Sequence, residues 1–160
     1  EWKAFEVEVA DKVAEVRLIG PGKGNAMGPD FWRELPEVIE GLDADEEIRA
    51  IIITGSGKNF SYGLDLPAMS GLLAPALADN AKAKPRTQFH DIILDMQRAI
   101  NAVADSRTPV VASISGWCIG GGVDLITAAD IRYASDDAKF SVREVRVGMV
   151  ADMGLSLIHI

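Results

Sequence analysis

Cysteine and histidine are nearly absent from this chain: its 160 residues include one cysteine, Cys118, and two histidines. A lone cysteine excludes an intramolecular disulfide framework, and so few histidines leave no ligand cluster for zinc. Cys118 therefore reads as core rather than as a nucleophile. Positive charge is also scarce, with 16 Lys and Arg against 24 Asp and Glu, a net charge of -8. That balance opposes nucleic-acid binding, which needs clustered cations. An anionic ligand would have to be held locally, by backbone N–H groups or a few placed side chains. Long apolar runs are missing too, so no membrane span is expected. The start, Glu1-Trp2-Lys3-Ala4-Phe5-Glu6, has neither a basic leader nor an apolar core segment. The expected location is the bacterial cytoplasm or, in a eukaryote, the mitochondrial matrix or peroxisome.

What the chain does have is an ordinary globular composition, 48% hydrophobic and 25% charged, enough for one domain with a sizeable core. Its most informative stretch is Ser115-Gly116-Trp117-Cys118-Ile119-Gly120-Gly121-Gly122-Val123-Asp124-Leu125. It lies between a buried-strand pattern, Val110 to Ile114, and a short helical run. Glycines where a strand feeds a helix let the backbone approach a ligand closely, and free N–H groups at a helix start attract negative charge. Asp124 follows Gly121 by three residues, so a helix starting at the glycines would carry its carboxylate on the face of that N–H. The alternative is structural: glycines for tight packing, with Asp124 complementing the helix start.

In chain order, residues 4–9 and 12–18 alternate apolar and polar around Ala10-Asp11, which predicts a β-hairpin with one wet face. A glycine-rich loop, residues 19–28, leads to a helix announced by Pro29-Asp30, with Phe31, Leu35, Val38, Ile39 and Leu42 at helical spacing. Pro36 inside it weakens that pattern. Residues 48–54 read as a strand covered on both faces. A second organised loop, Gly55 to Leu66, follows. Residues 70–85 lack a clean period and read as a mobile segment with some helix. Phe89, Ile92, Ile93, Met96, Ile100 and Val103 predict a long helix, residues 109–114 a strand, 121–129 a helix and 130–134 a strand. No fixed-period repeat is visible, and the alternation argues for a mixed α/β fold. Glu144 and Asp152 are acids in apolar company around Gly148. Such carboxylates are costly unless paired or used.

Phe60-Ser61-Tyr62-Gly63-Leu64-Asp65-Leu66, followed by the glycine stretch and then Ala128-Ala129-Asp130-Ile131-Arg132-Tyr133, resembles the enoyl-CoA hydratase/isomerase (crotonase) superfamily. The likeness runs from about residue 4 to 154. Within that superfamily the chain is most similar to the Δ3,5-Δ2,4-dienoyl-CoA isomerase branch, on Asp124 where hydratases usually carry Glu, on Glu144 and on Asp152. Asn25-Ala26-Met27 and Phe31-Trp32-Arg33-Glu34-Leu35 are also similar to that branch. The resemblance implies a spiral of ββα units that binds an acyl-CoA thioester, with the thioester oxygen held by the Leu64 and Gly121 N–H groups. It implies Asp124, Glu144 and Asp152 as catalytic acids, with Glu144 and Asp152 moving protons, and Tyr62, Gly63, Asp65, Leu66 and Gly120 around the substrate. Lys23 with the Asn25-Ala26 loop is the expected contact for CoA phosphates, because the chain offers no broad basic face.

No metal or separate cofactor is expected, since the substrate carries its own coenzyme A. The whole protein is expected to be a homotrimer or a dimer of trimers. Residues 1–154 read as the crotonase-like core without the family's C-terminal helical segment, and 155–160 as a tail from a sequencing adaptor. Two departures from the branch carry expectations: Arg146 would share the face of Glu144 in a strand and pair with it, and the bulk of Tyr62 would narrow access. The competing readings are a hydratase of the same fold, a non-catalytic CoA-thioester-binding fragment, and a serine hydrolase, for which His90 is the only histidine before the suspect tail.

Overall fold

The computed structural model describes residues 1–20, 24–147, 151 and 153–154. The predicted hairpin is β1, Phe5–Ala10, and β2, Val13–Leu18, antiparallel. Its turn residues Asp11 and Lys12 both have positive φ, 49° and 67°, the tight mirror-image turn whose twist matches paired strands. Then come α1, Pro29–Ala44, and β3, Ala50–Gly55, which lies parallel to β2. Two helices follow, α2, Leu66–Leu77, and α3, Ala83–Ala104. β4, Val110–Ile114, is parallel to β3. A short β5, Trp117–Ile119, leads into α4, Gly121–Ala128. β6, Ile131–Ala134, completes the main sheet beside β4, while β7, Lys139–Ser141, pairs with β5 and precedes α5, Glu144–Val147.

The main sheet thus runs β1-β2-β3-β4-β6, and β5-β7 forms a second, smaller layer. Strand–strand–helix turns recur along the chain as the resemblance implied, without a repeating sequence period. Register aligns Ala14, Ile51 and Val110, then Val16, Ile53 and Ala112, on one face. All of these are buried in a core that also holds Leu35, Ile39, Ile100 and Val103 from α1 and α3. Each fully buried Val, Leu or Ile among them contributes about 1.5–3 kcal/mol relative to exposure.

Three expectations change. β3 is covered on one face only: Ile51 and Ile53 are buried, whereas Ile52 and Thr54 are partly exposed. Residues 70–85 fall largely within α2 and the start of α3. The helix was hidden because α2 is apolar nearly all round, so no stripe marks it. Pro36 is accommodated inside α1 and buried. On β6 and β7, Ile131, Tyr133 and Phe140 are exposed, an apolar patch at this edge of the sheet.

Candidate active site

The loop after β3 is anchored from inside by Asn25, in the left-handed region at φ 52°. Its Nδ2 donates to the carbonyls of Ser56 (3.0 Å), Asn59 (2.9 Å) and Phe60 (3.0 Å), and its Oδ1 accepts from Ser56 Oγ (2.7 Å). An amide has two hydrogens, so one of them is shared. Beyond this anchor Gly63 adopts φ 79°. Its carbonyl accepts from Met27 N–H (2.8 Å) while Asp65 N–H donates to Met27 O (3.1 Å). In such a parallel bridge the N–H of the intervening Leu64 points away from the Met27 backbone.

The second loop ends at Gly120, the N-cap of α4, with φ 53° and ψ -123°. Its carbonyl accepts from Val123 N–H (2.7 Å) and Asp124 N–H (3.3 Å). Gly121 opens the helix, so its own N–H has no partner within the helix. Among the hydrogen bonds of the described residues, neither Leu64 N–H nor Gly121 N–H is a donor. The two loops abut at this point: a Cβ on Gly63 would lie 2.5 Å from Ile119 O and 3.0 Å from Gly121 N. Only glycine permits that approach. A Cβ on Gly121 would in turn meet Met27 Sδ (3.0 Å), Met153 Cε (3.4 Å) and Trp32 Cη2 (3.8 Å), so the second donor has an apolar wall. Donors fixed in such surroundings are suited to an oxygen that gains negative charge.

Trp32 is held by its indole N–H on Met27 O (3.2 Å). It also lines a cavity of about 420 Å³ between α1, α2 and α3, together with Met69, Leu72, Ile92 and Met96 and with Arg33, Glu37 and Asp95.

Glu144 reaches the glycines through the second layer. β7 lies beside β5, Gly120 N–H donates to Ser141 O (3.0 Å), and α5 then begins at Glu144. A Cβ on Gly120 would be 3.3 Å from Glu144 Oε1, and Glu144 Oε2 is buried without a hydrogen-bond partner among the described residues. The expected Arg146 pairing is not found among the described ion pairs. Residues 144–147 form a helical turn rather than a strand, so two positions are separated by about 200° instead of sharing a face. Glu144 is buried and Arg146 exposed.

Asp124 is 1% exposed on the first turn of α4. The segment at 153–154 packs over it: a Cβ on Gly154 would lie 3.6 Å from Asp124 Cβ. Cys118 is fully buried in the core, and this burial, with the Asp124 charge nearby, pushes its thiol up to about 12. Asp152 and Lys23 lie outside the described residues.

Several of the other expected substrate contacts also have structural tasks. The Asn25 side chain is spent on the 56–60 loop, and Asp65 is the N-cap of α2, its Oδ1 accepting from Ala68 N–H (3.0 Å). The Tyr62 ring covers Gly24, where a Cβ would stand 2.5 Å from the ring, and its N–H donates to Gly24 O (2.7 Å). The Ala26 carbonyl packs on Gly20, where a Cβ would be 2.5 Å away, and Leu66 is exposed on the first turn of α2. Sequence reading passed over Trp32 and Ser61. Ser61 had no local signal, because it lies in a loop with isolated bridges, where strand alternation does not hold. His90 is exposed on α3, which removes the support for a serine-hydrolase triad.

The enoyl-CoA hydratase/isomerase family profile matches residues 8–160. The chain is 44% identical over 134 residues to the peroxisomal Δ3,5-Δ2,4-dienoyl-CoA isomerase of Arabidopsis thaliana, covering 84% of this chain and 48% of that protein. It is 43% identical over 155 residues to the mitochondrial Δ3,5-Δ2,4-dienoyl-CoA isomerase of Homo sapiens, covering 96% and 47%. The crystal structure of an enoyl-CoA hydratase/carnithine racemase from Magnetospirillum magneticum superposes with a TM-score of 0.79 at 30% identity, covering 94% of this chain and 53% of the other. The chain spans about half the length of the curated relatives it matches. Sequence motifs, the strand–strand–helix spiral and these matches agree: the chain belongs to the enoyl-CoA hydratase/isomerase family.

Proposed function

We propose that this chain carries the thioester-binding and proton-transfer elements of a Δ3,5-Δ2,4-dienoyl-CoA isomerase. The observation that carries the reading is the close approach of Gly63, whose peptide bears the Leu64 N–H, to Gly121, with the buried Glu144 carboxylate beside Gly120. The identity to relatives named as dienoyl-CoA isomerases supports the choice within the family.

The thioester oxygen accepts hydrogen bonds from the Leu64 and Gly121 N–H groups. Glu144 takes a proton from C2, and the electron pair left behind delocalises over the thioester oxygen and the diene. A proton delivered to C6 by Asp152 completes the shift to the 2,4-diene. The role of Asp152 rests on the sequence resemblance. Moving protons at two separated carbons needs two positioned acids, and fixed donors lower the barrier where charge collects on oxygen. The cavity behind Trp32 supports room for an acyl chain, its volume falling within the roughly 300–1,000 Å³ usual for ligand sites. Coenzyme A enters as part of the substrate. A trimer-based assembly is part of the same reading, supported by the exposed apolar side chains of β6 and β7.

The test is incubation of the chain with 3,5-octadienoyl-CoA, following the conjugated 2,4-dienoyl product by absorbance. Asp152→Asn is expected to slow conversion by roughly 10²- to 10⁴-fold, as for loss of a general acid or base, with little change in thioester binding. An unchanged rate in that variant, with hydration of 2-octenoyl-CoA by the parent, would establish the hydratase reading instead.

A further inference from the structure

We infer that Ser61 is the positioning residue for the Leu64 N–H, an inference that rests on the thioester reading of the site. Ser61 is fully buried, and its backbone is held by bonds that do not use its hydroxyl: its N–H donates to Trp117 O (3.0 Å) and its carbonyl accepts from Ile119 N–H (2.9 Å). The hydroxyl has a separate task. It donates to Asn25 O (2.9 Å) and accepts from Gly63 N–H (3.0 Å).

Gly63 is thereby pinned on both sides. The peptide before its Cα is held by Ser61 Oγ, and the peptide after it, whose N–H belongs to Leu64, is held through the Gly63 carbonyl on Met27 N–H (2.8 Å). A glycine at φ 79° has no side chain to resist a flip and visits both signs of φ readily. Without the hydroxyl, the Gly63 N–H is a buried donor with no acceptor, and the chain gains by turning it elsewhere. The Leu64 N–H then loses its aim. Ser61 also lies against the start of α4: a Cβ on Gly122 would be 3.2 Å from Ser61 Cβ and 3.4 Å from Cys118 Sγ. One small hydroxyl residue thus links the Asn25 anchor, the first donor loop and the helix start that carries the second donor.

The experiment compares the full chain, Ser61→Ala and the control Ser56→Ala. Ser56 Oγ donates to Asn25 Oδ1 (2.7 Å) and so belongs to the same anchor. Among the described residues the Ser56 hydroxyl makes no bond to Gly63, so it separates general loosening from loss of aim. Two readouts are taken: backbone-amide NMR of Gly63 and Leu64 without ligand, and the carbonyl stretch of bound hexanoyl-CoA, a saturated thioester that does not isomerise. Ser61→Ala is expected to lose hydrogen-exchange protection at Gly63, to broaden Leu64, and to lose the downshift of the thioester carbonyl seen in the parent, while still binding hexanoyl-CoA. Turnover should fall by about 10²-fold, the scale of a misplaced group, with KM nearly unchanged. Ser56→Ala should keep the downshift. A Ser61→Ala protein with a protected Gly63 amide and an intact downshift overturns the role of Ser61 and leaves the thioester reading standing. A parent that gives no downshift with hexanoyl-CoA overturns the thioester reading itself. If Ser61→Ala does not fold, Ser61→Cys, which replaces the hydroxyl by a weak acceptor, is read by the same outcomes.

Discussion

Glu144 Oε1 stands beside Gly120, 3.3 Å from where a Cβ at that glycine would be. The pair joins the residue that caps α4 to the buried carboxylate at the start of α5. Glu144→Gln keeps the shape and removes the exchangeable charge. Isomerisation of a 3,5-dienoyl-CoA should fall by roughly 10²- to 10⁴-fold, with hexanoyl-CoA binding retained. Parent-like turnover in Glu144→Gln would assign the carboxylate a structural part.

Asn25→Ala should be strongly destabilising. The change removes the shared donor of three carbonyls and the acceptor of Ser56 Oγ, and it leaves a non-glycine residue at φ 52° without the local hydrogen bonds that favour Asn there. A loss of about 3 kcal/mol is expected from buried polar groups left unmatched, measured by denaturant unfolding. A loss below about 1 kcal/mol would mean that the loop finds other partners.

Asp43 should make stability depend on pH in the acid range. The Thr108 backbone N–H (2.7 Å) holds its carboxyl below the usual carboxylate value, with the Thr108 and Arg107 side chains assisting. A folded pKa below the unfolded one means that the unfolded chain binds more protons as pH falls, so the contribution is present above the unfolded value of about 3.9 and is lost below it. Asp43→Asn should therefore melt earlier than the parent at neutral pH, and the gap should close as pH falls through the lower folded pKa. A gap that does not vary with pH would assign the effect to packing.

Cys118 should be inert in the folded chain. Its thiol, pushed up to about 12 by burial and the nearby Asp124 charge, remains protonated at about pH 8, where thiolate is the reactive form. A disulfide reagent should label it only after denaturant is added. Rapid labelling of the native chain would contradict the buried position.

The elements with clear local periods were legible without coordinates. Alternation marked the β1–β2 hairpin, the stripe from Phe31 to Leu42 marked α1, the stripe from Phe89 to Val103 marked α3, and the glycines after β4 marked a place where backbone N–H groups come free. These signals lie within a few residues of one another, so the chain carries them whatever it packs against. α2 escaped because an apolar surface nearly all round leaves no stripe, and β5 and β7, Trp117–Ile119 and Lys139–Ser141, are too short to set a period. Those two strands decide the site: their pairing, far apart in sequence, brings Glu144 to Gly120, while a helical turn instead of a strand sends Arg146 out to solvent. Tertiary structure likewise gives Asn25 and Asp65 structural tasks, as an anchor and a helix cap. A short polar side chain serves either purpose, and only the position of the surrounding backbone N–H and C=O groups decides which hydrogen bonds it makes.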